Sequence, residues 1–341
     1  MNLTERIFGY TSDGDTVKSY IMTNSRGMSV CILEYGCIIQ KLEVPDRVGL
    51  LTDVVLGFDT MDEYEFGGRC FGALVGRYAN RIKDAQFTID GRTYILPQND
   101  SHNHLNGTYT KRIFHAEQVE NKLVFHGISP DGEEGYPGRV TFDVSYEVTE
   151  NNELIVEYTA TTDKDTIINL TNHSYFNLNG QDGRTIEDLI LTLNSDFYAE
   201  GDAEYMPTGA ILSVAGTPMD FRNGKAIGAE IGKDWNYIKA YGGYDHTFAL
   251  RKERNLSHAL TLESPRTGIR MKCFTTQPCV QLYTGNYIND AVGKRGVVYP
   301  KHGGVCLETM HFPCSPSYSH FPSTVLRKGE TYKEMTIYRF E

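Results

Sequence analysis

A histidine and a glutamate in this sequence are the right residue types for paired acid–base chemistry. His173 lies in the stretch NLTNHSYFNLNG (169–180), and Glu308 ends the short apolar run 305–307. Burial in an apolar pocket would raise the pKa of the glutamate towards neutrality, where a carboxylate is a useful base and an imidazole a useful acid. Each residue alone also has an ordinary structural explanation, as a hydrogen-bonded core histidine and as a solvated glutamate at a strand end.

Five stretches place polar side chains where a β-sheet would otherwise carry apolar ones. They are GRYANRI (76–82), NLTNHSYFN (169–177), GGYDHTF (242–248), TTQPCVQLYTGN (275–286) and PKHGGVCLETMHFP (300–313). Within them, Arg81 is either a buried ion-pair partner or a group that binds a ligand. Asp245 either pairs with its neighbour His246 or faces a pocket. The residue types alone leave these alternatives open.

His102 and His104, in SHNHLN (101–106), have the spacing of two metal ligands on one face of a strand. A metal site needs further ligands, and His115 follows eleven residues after His104 without an accompanying carboxylate pattern. The sequence therefore favours loop histidines at a pocket rim or on the surface over a metal site.

Motifs for other chemistries are absent from the sequence. No G-x-G-x-x-G follows a predicted strand and no G-x-x-x-x-G-K-[ST] occurs, so nucleotide-dependent chemistry has no support. The absence of H-E-x-x-H and of G-x-S-x-G argues against a metalloprotease and a serine hydrolase.

The elements that must position these residues are predicted to be β-strands. The segments 139–150 and 153–162 alternate apolar and polar residues around Asn151-Asn152, which predicts a hairpin. A second hairpin is predicted around Asp90-Gly91, because a type I′ turn needs positive φ at both central residues.

The rest of the chain fits the same architecture. Segments 259–277 and 324–340 also alternate, whereas helical periodicity is confined to 226–241 and to a short segment around 60–66. Many strands with few helices predict an all-β fold, a large antiparallel β-sandwich formed as one domain by residues 1–341.

Composition narrows the class of protein. The chain has 33 basic and 44 acidic residues, a net charge of −11, which argues against nucleic-acid binding. No apolar run approaches the roughly 18 residues that span a bilayer, and the N-terminus has no secretory pattern. Seven cysteines without a C-x-x-C pair indicate reduced thiols. We therefore expect a cytoplasmic protein that contacts neither nucleic acid nor membrane.

Six stretches together resemble, in order and spacing, the aldose 1-epimerase (galactose mutarotase) family. They are GRYANRI, SPDGEEGYPG (129–138), NLTNHSYFNL, GYDHTF, TTQPCVQLYTGN and YPKHGGVCLET (299–309). The resemblance extends from about residue 70 to 310. It implies a β-supersandwich, no cofactor, and interconversion of the α and β anomers of free hexoses such as galactose and glucose.

The resemblance also implies roles for individual residues. Glu308 matches the family's general base, and His173 matches its general acid. Residues that match sugar-binding positions of the family are Asn80, Arg81, Asp245 and Gln281. Tyr175 is expected in the same pocket, because in an extended chain it shares a strand face with His173.

One position departs from the family. The family usually carries Leu-His-Gly-Gly after the NRI strand, and its histidine contacts the sugar near the ring oxygen. The corresponding stretch here is HLNGT (104–108), with Asn106 in place of that histidine. Asparagine donates a hydrogen bond but does not titrate. His102 or His104 is a candidate substitute from the same loop.

Two further alternatives compete with this prediction. An epimerase of phosphorylated hexoses would need additional Arg or Lys at the cleft, which an acidic chain does not favour. A non-catalytic carbohydrate-binding protein would keep Arg81 and Asp245 but would not need both His173 and Glu308. We therefore predict an isomerase that acts on a small hexose, either as a monomer or as a homodimer.

Overall fold

The computed structural model describes residues 2–341, and antiparallel strands form most of it. The strands up to residue 167 are β1 (Asn2–Tyr10), β2 (Thr16–Thr23), β3 (Ser29–Leu33), β4 (Ile39–Pro45), β5 (Leu51–Asp53), β6 (Ala73–Val75), β7 (Arg81–Ile82), β8 (Gln86–Ile89), β9 (Arg92–Ile95), β10 (His104–Leu105), β11 (His115–Val119), β12 (Lys122–Ser129), β13 (Val140–Val148), β14 (Glu153–Thr162) and β15 (Thr166–Ile167).

The strands of the second half are β16 (Thr171–His173), β17 (Tyr175–Phe176), β18 (Ile190–Leu193), β19 (Phe197–Gly201), β20 (Pro207–Ser213), β21 (Lys225–Ala226), β22 (Asp245–Ala249), β23 (Ser257–Glu263), β24 (Arg270–Thr275), β25 (Cys279–Tyr283), β26 (Ala291–Val292), β27 (Val298–Tyr299), β28 (Val305–Met310), β29 (Val325–Leu326) and β30 (Thr331–Phe340). The helices of the described residues are α1 (Met61–Phe66), α2 (Ile238–Tyr241) and the single 3-10 turns Lys83–Ala85, Tyr109–Lys111, Glu133–Gly135, Ile227–Ala229, Lys294–Gly296 and Ser315–Ser317.

Three sheets contain most of the strands. The first has the order β1-β2-β3-β4-β5, the second β11-β12-β13-β14-β30-β24-β23-β18-β21, and the third β17-β28-β25-β22-β19-β20. Apolar side chains from all three form one buried cluster, to which β3 contributes Val30, β14 Val156 and β28 Leu307. The nine-stranded sheet thus packs against the other two, which confirms the predicted all-β antiparallel sandwich. None of the helices within residues 2–341 is long and apolar enough to cross a membrane.

The predicted hairpins are present where local turn chemistry defines them. Strands β13 and β14 pair directly around Asn151-Asn152, with Val148 opposite Leu154. Strands β8 and β9 pair around Asp90, which has a positive φ of 48° as the turn requires.

Both segments with helical periodicity contain short helices. The segment around 60–66 contains α1, whose first turn is closed by a reciprocal capping box between Thr60 and Glu63. The segment 226–241 also contains short helices, the 3-10 turn Ile227–Ala229 and the four residues of α2. Asn236 and Tyr237 have φ of 36° and 63°, which interrupts any continuous helix there.

The stretch GRYANRI is anchored by a buried guanidinium. Arg77 is 1% exposed, and its Nη1 donates to the carbonyl oxygens of Pro137 and Gly138 at 3.0 and 3.1 Å. Its Nε donates to Ser129 Oγ at 3.1 Å. The loop SPDGEEGYPG thus wraps around one side chain, which holds the residues after Arg77 against the sheet edge.

Replacing Arg77 by Met is expected to lower the free energy of unfolding by about 3 kcal/mol, because several buried acceptors lose their charged donor. Urea unfolding followed by circular dichroism measures this change. Arg92→Met is the control, since Arg92 is exposed and should change stability by no more than about 0.5 kcal/mol. Equal stability of the two variants would contradict the anchoring role.

Candidate active site

The floor of the candidate site is strand β28, which is buried along its whole length. Successive side chains of a strand point to opposite faces. Val305 and Leu307 belong to the main core, whereas Cys306 and Met310 belong to two smaller apolar clusters on the other face. Glu308 lies between those two clusters and is 4% exposed. The strand therefore removes a carboxyl group from water without placing it in the main core.

Strand register aligns the polar residues beside Glu308. Gln281 of β25 lies opposite Glu308, and Thr247 of β22 lies opposite Gln281. The Thr247 hydroxyl donates to Gln281 Oε1, and Gln281 Nε2 donates to Asp245 Oδ1 at 2.6 Å. This chain of hydrogen bonds orients both Gln281 and Asp245.

Asp245 does not pair with its neighbour His246 through its carboxylate. The backbone N–H of Asp245 donates to His246 Nδ1 at 3.1 Å, and His246 Nε2 donates to the Asn236 carbonyl at 2.7 Å. His246 is therefore a structural residue, and the Asp245 carboxylate is left for the pocket.

His173 and Tyr175 form one wall. Tyr175 of β17 lies opposite Cys306, and the His173 ring stacks on the Tyr175 ring with centroids 5.0 Å apart and planes at 21°. His173 Nε2 lies 3.6 Å from Glu308 Oε1, and Nδ1 lies 3.4 Å from Cys306 Sγ. The imidazole is thus held between two residues of one strand, and the predicted pairing of Tyr175 with His173 on one face agrees with the stacked rings.

Asn80, Arg81 and Asn106 form the opposite wall. Asn106 Oδ1 accepts the backbone N–H of Asn80 at 2.8 Å, and the backbone N–H of Asn106 donates to the Asn80 carbonyl at 3.1 Å. Arg81 Nε pairs with Asp100 at 2.7 Å, and its guanidinium lies 4.9 Å from the centre of the Tyr205 ring. Arg81 is therefore both an ion-pair partner and a residue of the cleft.

The structure brings all eight sequence-predicted residues into one cleft of about 190 Å³. Its lining residues are Asn80, Arg81, Leu105, Asn106, His173, Tyr175, Asp245, Gln281, Tyr283, Tyr287 and Glu308. The sequence reasoning missed Leu105, Tyr283 and Tyr287. Tyr283 follows Gln281 by two residues on one strand, so the face argument applied to Tyr175 would have found it. Nothing local identifies Tyr287, which is 48% exposed after that strand ends.

The two loop histidines do not substitute for the family histidine. His104 is fully buried, and its Nδ1 bonds to the Pro97 carbonyl at 2.9 Å. His102 is partly exposed, with Nε2 3.3 Å from Glu204 and 3.6 Å from Asp84. Neither ring lines the cleft, because the Pro97 carbonyl holds one and surface carboxylates lie beside the other.

Burial shifts the titration of the central pair in opposite directions. Desolvation, strengthened by the charge of Asp245 and opposed by Arg81, raises the pKa of Glu308 to about 8. Desolvation lowers the pKa of His173 to about 4. It also raises the pKa of Asp245, against the effects of Arg81 and Gln281. At neutral pH the carboxyl of Glu308 is therefore protonated and the imidazole of His173 is neutral.

A metal ion is the other ligand to weigh at this pair. Ligand atoms of His173, Cys306 and Glu308 lie within 4.8 Å of one another. However, burial raises the pKa values of both the Cys306 thiol and the Glu308 carboxyl, whereas a metal ion binds the deprotonated form of each group. The site therefore favours a pair for proton transfer over a three-ligand metal site.

Comparison with known proteins identifies relatives over the full length of the chain. A model of the aldose 1-epimerase family matches residues 18–339. The galactose mutarotase of Mus musculus is 39% identical over 345 residues, which cover 100% of this chain and 99% of the mouse protein. Among solved structures, an aldose epimerase homologue from C. elegans has a TM-score of 0.86 at 33% identity, and the match covers 95% of this chain and 99% of the C. elegans chain. Galactose 1-epimerase from Lactobacillus acidophilus has a TM-score of 0.87 at 28% identity, covering 100% and 99%.

The electrostatic assignment predicts opposite effects of two variants on Glu308. Asp245→Asn removes a like charge and should lower the pKa of Glu308, whereas Arg81→Met removes an opposite charge and should raise it. In both variants the pKa should stay above 4.5, because burial is the main cause of the shift. Carbon-13 NMR of the carboxyl groups measures this, with Glu308→Gln to assign the resonance. Movement of both variants in one direction would refute the assignment.

Proposed function

The chain belongs to the aldose 1-epimerase family, and we propose that its cleft interconverts the α and β anomers of free hexoses, such as galactose and glucose, by acid–base ring opening and reclosure. It is accordingly an isomerase. The observation that carries the proposal is the separation of 3.6 Å between His173 Nε2 and Glu308 Oε1 in a buried cleft. Ring opening needs one proton removed from the C1 hydroxyl and one delivered to the ring oxygen, and this pair supplies a group for each.

Glu308 acts as the general base and His173 as the general acid. At neutral pH the proton that the two groups exchange is on Glu308, because Glu308 has the higher pKa. Its transfer to Nε2 gives the carboxylate and imidazolium that ring opening requires. Glu308 then takes the C1 hydroxyl proton while His173 protonates the ring oxygen. Reclosure reverses both transfers after the aldehyde has turned about the C1–C2 bond, so the pair ends with the proton count it began with.

The other cleft residues bind the sugar. Asp245 offers a carboxylate oxygen as an acceptor, while Arg81, Asn106 and Gln281 offer donors and acceptors already oriented by protein partners. Asn80 and Tyr175 complete the polar lining. A few hydrogen bonds in an open cleft favour modest affinity and broad tolerance among hexoses.

The cleft gives little support to the rival functions. Arg81 is the one cationic residue among those that line it, and its guanidinium is already paired with Asp100, so the phosphate of a phosphorylated hexose would compete with a carboxylate for its one cationic partner. A non-catalytic sugar-binding cleft would gain nothing from desolvating Glu308 beside His173.

Four further expectations remain part of the proposal. We propose a single domain over residues 1–341, a monomer or homodimer, no nucleic-acid partner and a cytoplasmic location. All seven cysteines are free thiols, as in proteins of reducing compartments, and the net charge of −11 disfavours contact with phosphate backbones.

Glu308→Gln and His173→Asn are each expected to lower kcat by about 10²- to 10⁴-fold, because each removes one of the two proton-transfer groups. Polarimetry of freshly dissolved α-D-galactose and α-D-glucose measures the rate, and EDTA should leave it unchanged. Glu334→Gln is the matched control, since Glu334 also has a pKa raised by burial but lies on β30, outside the cleft. Wild-type activity in either cleft variant would overturn that residue's role.

The pH profile of kcat/KM is expected to be bell-shaped, with limbs near pH 4 and pH 8. Below about pH 4 the pair takes up a second proton and has no base. Above about pH 8 the pair loses the proton that it exchanges and has no acid. Rates measured by polarimetry in overlapping buffers test this, with the uncatalysed rate subtracted at each pH. A profile flat from pH 3 to pH 10 would exclude the pair as the titrating groups.

A further inference from the structure

Cys306 contacts the catalytic histidine on the side that faces away from the cleft. Its Sγ lies 3.4 Å from His173 Nδ1, and its side chain is fully buried in the cluster that contains Phe71 and Tyr175. Burial raises the pKa of the thiol well above its ordinary range, so the sulfur stays neutral and does not act as a nucleophile.

The position of the one proton on a neutral imidazole decides whether the pair can work. If that proton sits on Nε2, the nitrogen facing Glu308 has no lone pair and cannot accept the carboxyl proton. If it sits on Nδ1, the Nε2 lone pair faces Glu308 at 3.6 Å and can accept it. A neighbour that accepts a hydrogen bond from Nδ1–H favours the second form, as the aspartate does in a Ser-His-Asp triad.

We propose that Cys306 is a positioning residue that holds the proton of His173 on Nδ1 and leaves Nε2 free to exchange a proton with Glu308 and the sugar; this inference rests on the function proposed above. Sulfur is a weak acceptor, so it orients the ring while stabilising the imidazolium only slightly. A carboxylate at position 306 would instead stabilise the imidazolium and keep the proton on the ring. The weak acceptor therefore lets a single proton move between His173 and Glu308.

The other side chains beside His173 offer Nδ1 no equivalent partner. Tyr175 stacks on the ring, Tyr283 meets it edge-on at 6.3 Å, and Ala73 opposite it on β6 has no titratable group. The backbone carbonyl of His173 also favours the protonated ring, and it shares its two lone pairs with the N–H of Gly72, which donates to it at 3.0 Å. Of the charged groups further along the cleft, Asp245 and Arg81 shift the pKa of Glu308. Cys306 is thus the side chain placed to select the tautomer.

Nitrogen-15 NMR of labelled wild-type protein tests the tautomer directly, with His173→Asn to assign the resonances. At pH 6 the neutral ring should carry its proton on Nδ1. Cys306→Ala should give a mixture of tautomers, and Cys306→Ser should restore the Nδ1–H form, because a hydroxyl oxygen accepts a hydrogen bond. A wild-type ring protonated on Nε2 would overturn the proposal, and so would an unchanged tautomer in Cys306→Ala.

Kinetics give a second readout that a purely structural role would not change. Cys306→Ala should lower kcat about three- to tenfold with KM nearly unchanged, as expected for the loss of one weak hydrogen bond. The acid limb of the pH profile should move to lower pH in Cys306→Ala and to higher pH in Cys306→Ser. Equal acid limbs in wild type and both variants would contradict the proposal.

Cys279→Ser is the matched control. Cys279 is also buried in the six-stranded sheet, but its thiol donates to the Met310 carbonyl and does not contact His173. The control should leave the tautomer and the acid limb unchanged. If the wild-type protein did not catalyse anomer exchange at all, the proposed function would fail, while the tautomer measurement would still decide the role of Cys306.

Discussion

The cleft depends on one constraint: Glu308 is removed from water, and the stabilising charge of Arg81 does not offset the cost of that burial. Its closest cationic candidate is His173, whose own pKa is lowered by the same burial. The cost to folding grows as the pH rises from 4.5 towards 8, because over that range the unfolded chain releases the proton that the folded chain retains. A chain selected for stability alone would place an apolar residue there, so the desolvated carboxyl itself indicates function.

The sandwich accommodates the buried carboxyl because the two faces of β28 have different roles. One face contributes Val305 and Leu307 to the main core, and the other carries the reactive groups. Side-chain hydrogen bonds then connect loops to the end of the same strand. The Asn169 side chain accepts the N–H of His311 at 2.9 Å and donates to the Ala79 carbonyl at 3.3 Å. Together with the Arg77 anchor, this link fixes Asn80 and Arg81 relative to Glu308, although more than 220 residues separate them in the sequence.

Local chemistry made part of this structure predictable from the sequence. Asp90-Gly91 and Asn151-Asn152 define hairpins by turn geometry, and Tyr175 follows from period two along one strand. The pairing of Gln281 with Glu308 is different, since it depends on a register between two strands that no turn connects directly. Only the resemblance to the family predicted that these two residues lie in one site. His104 does not face the cleft because the Pro97 carbonyl determines where its ring points, which the residue types of the loop do not reveal. Cys306 looks in the sequence like an ordinary apolar strand residue.

Asn106 fits a cleft in which proton transfer is confined to one pair. Its φ of 62° lies in the left-handed region, which asparagine adopts more readily than most residues. Its side-chain oxygen is committed to the N–H of Asn80, so its amide nitrogen is the group left to face the cleft. A histidine at this position would add a second imidazole whose charge depends on pH. With asparagine, the wall opposite His173 contributes a donor that does not titrate, and the ionisation of the cleft is set by Glu308, His173 and the two charges of Asp245 and Arg81.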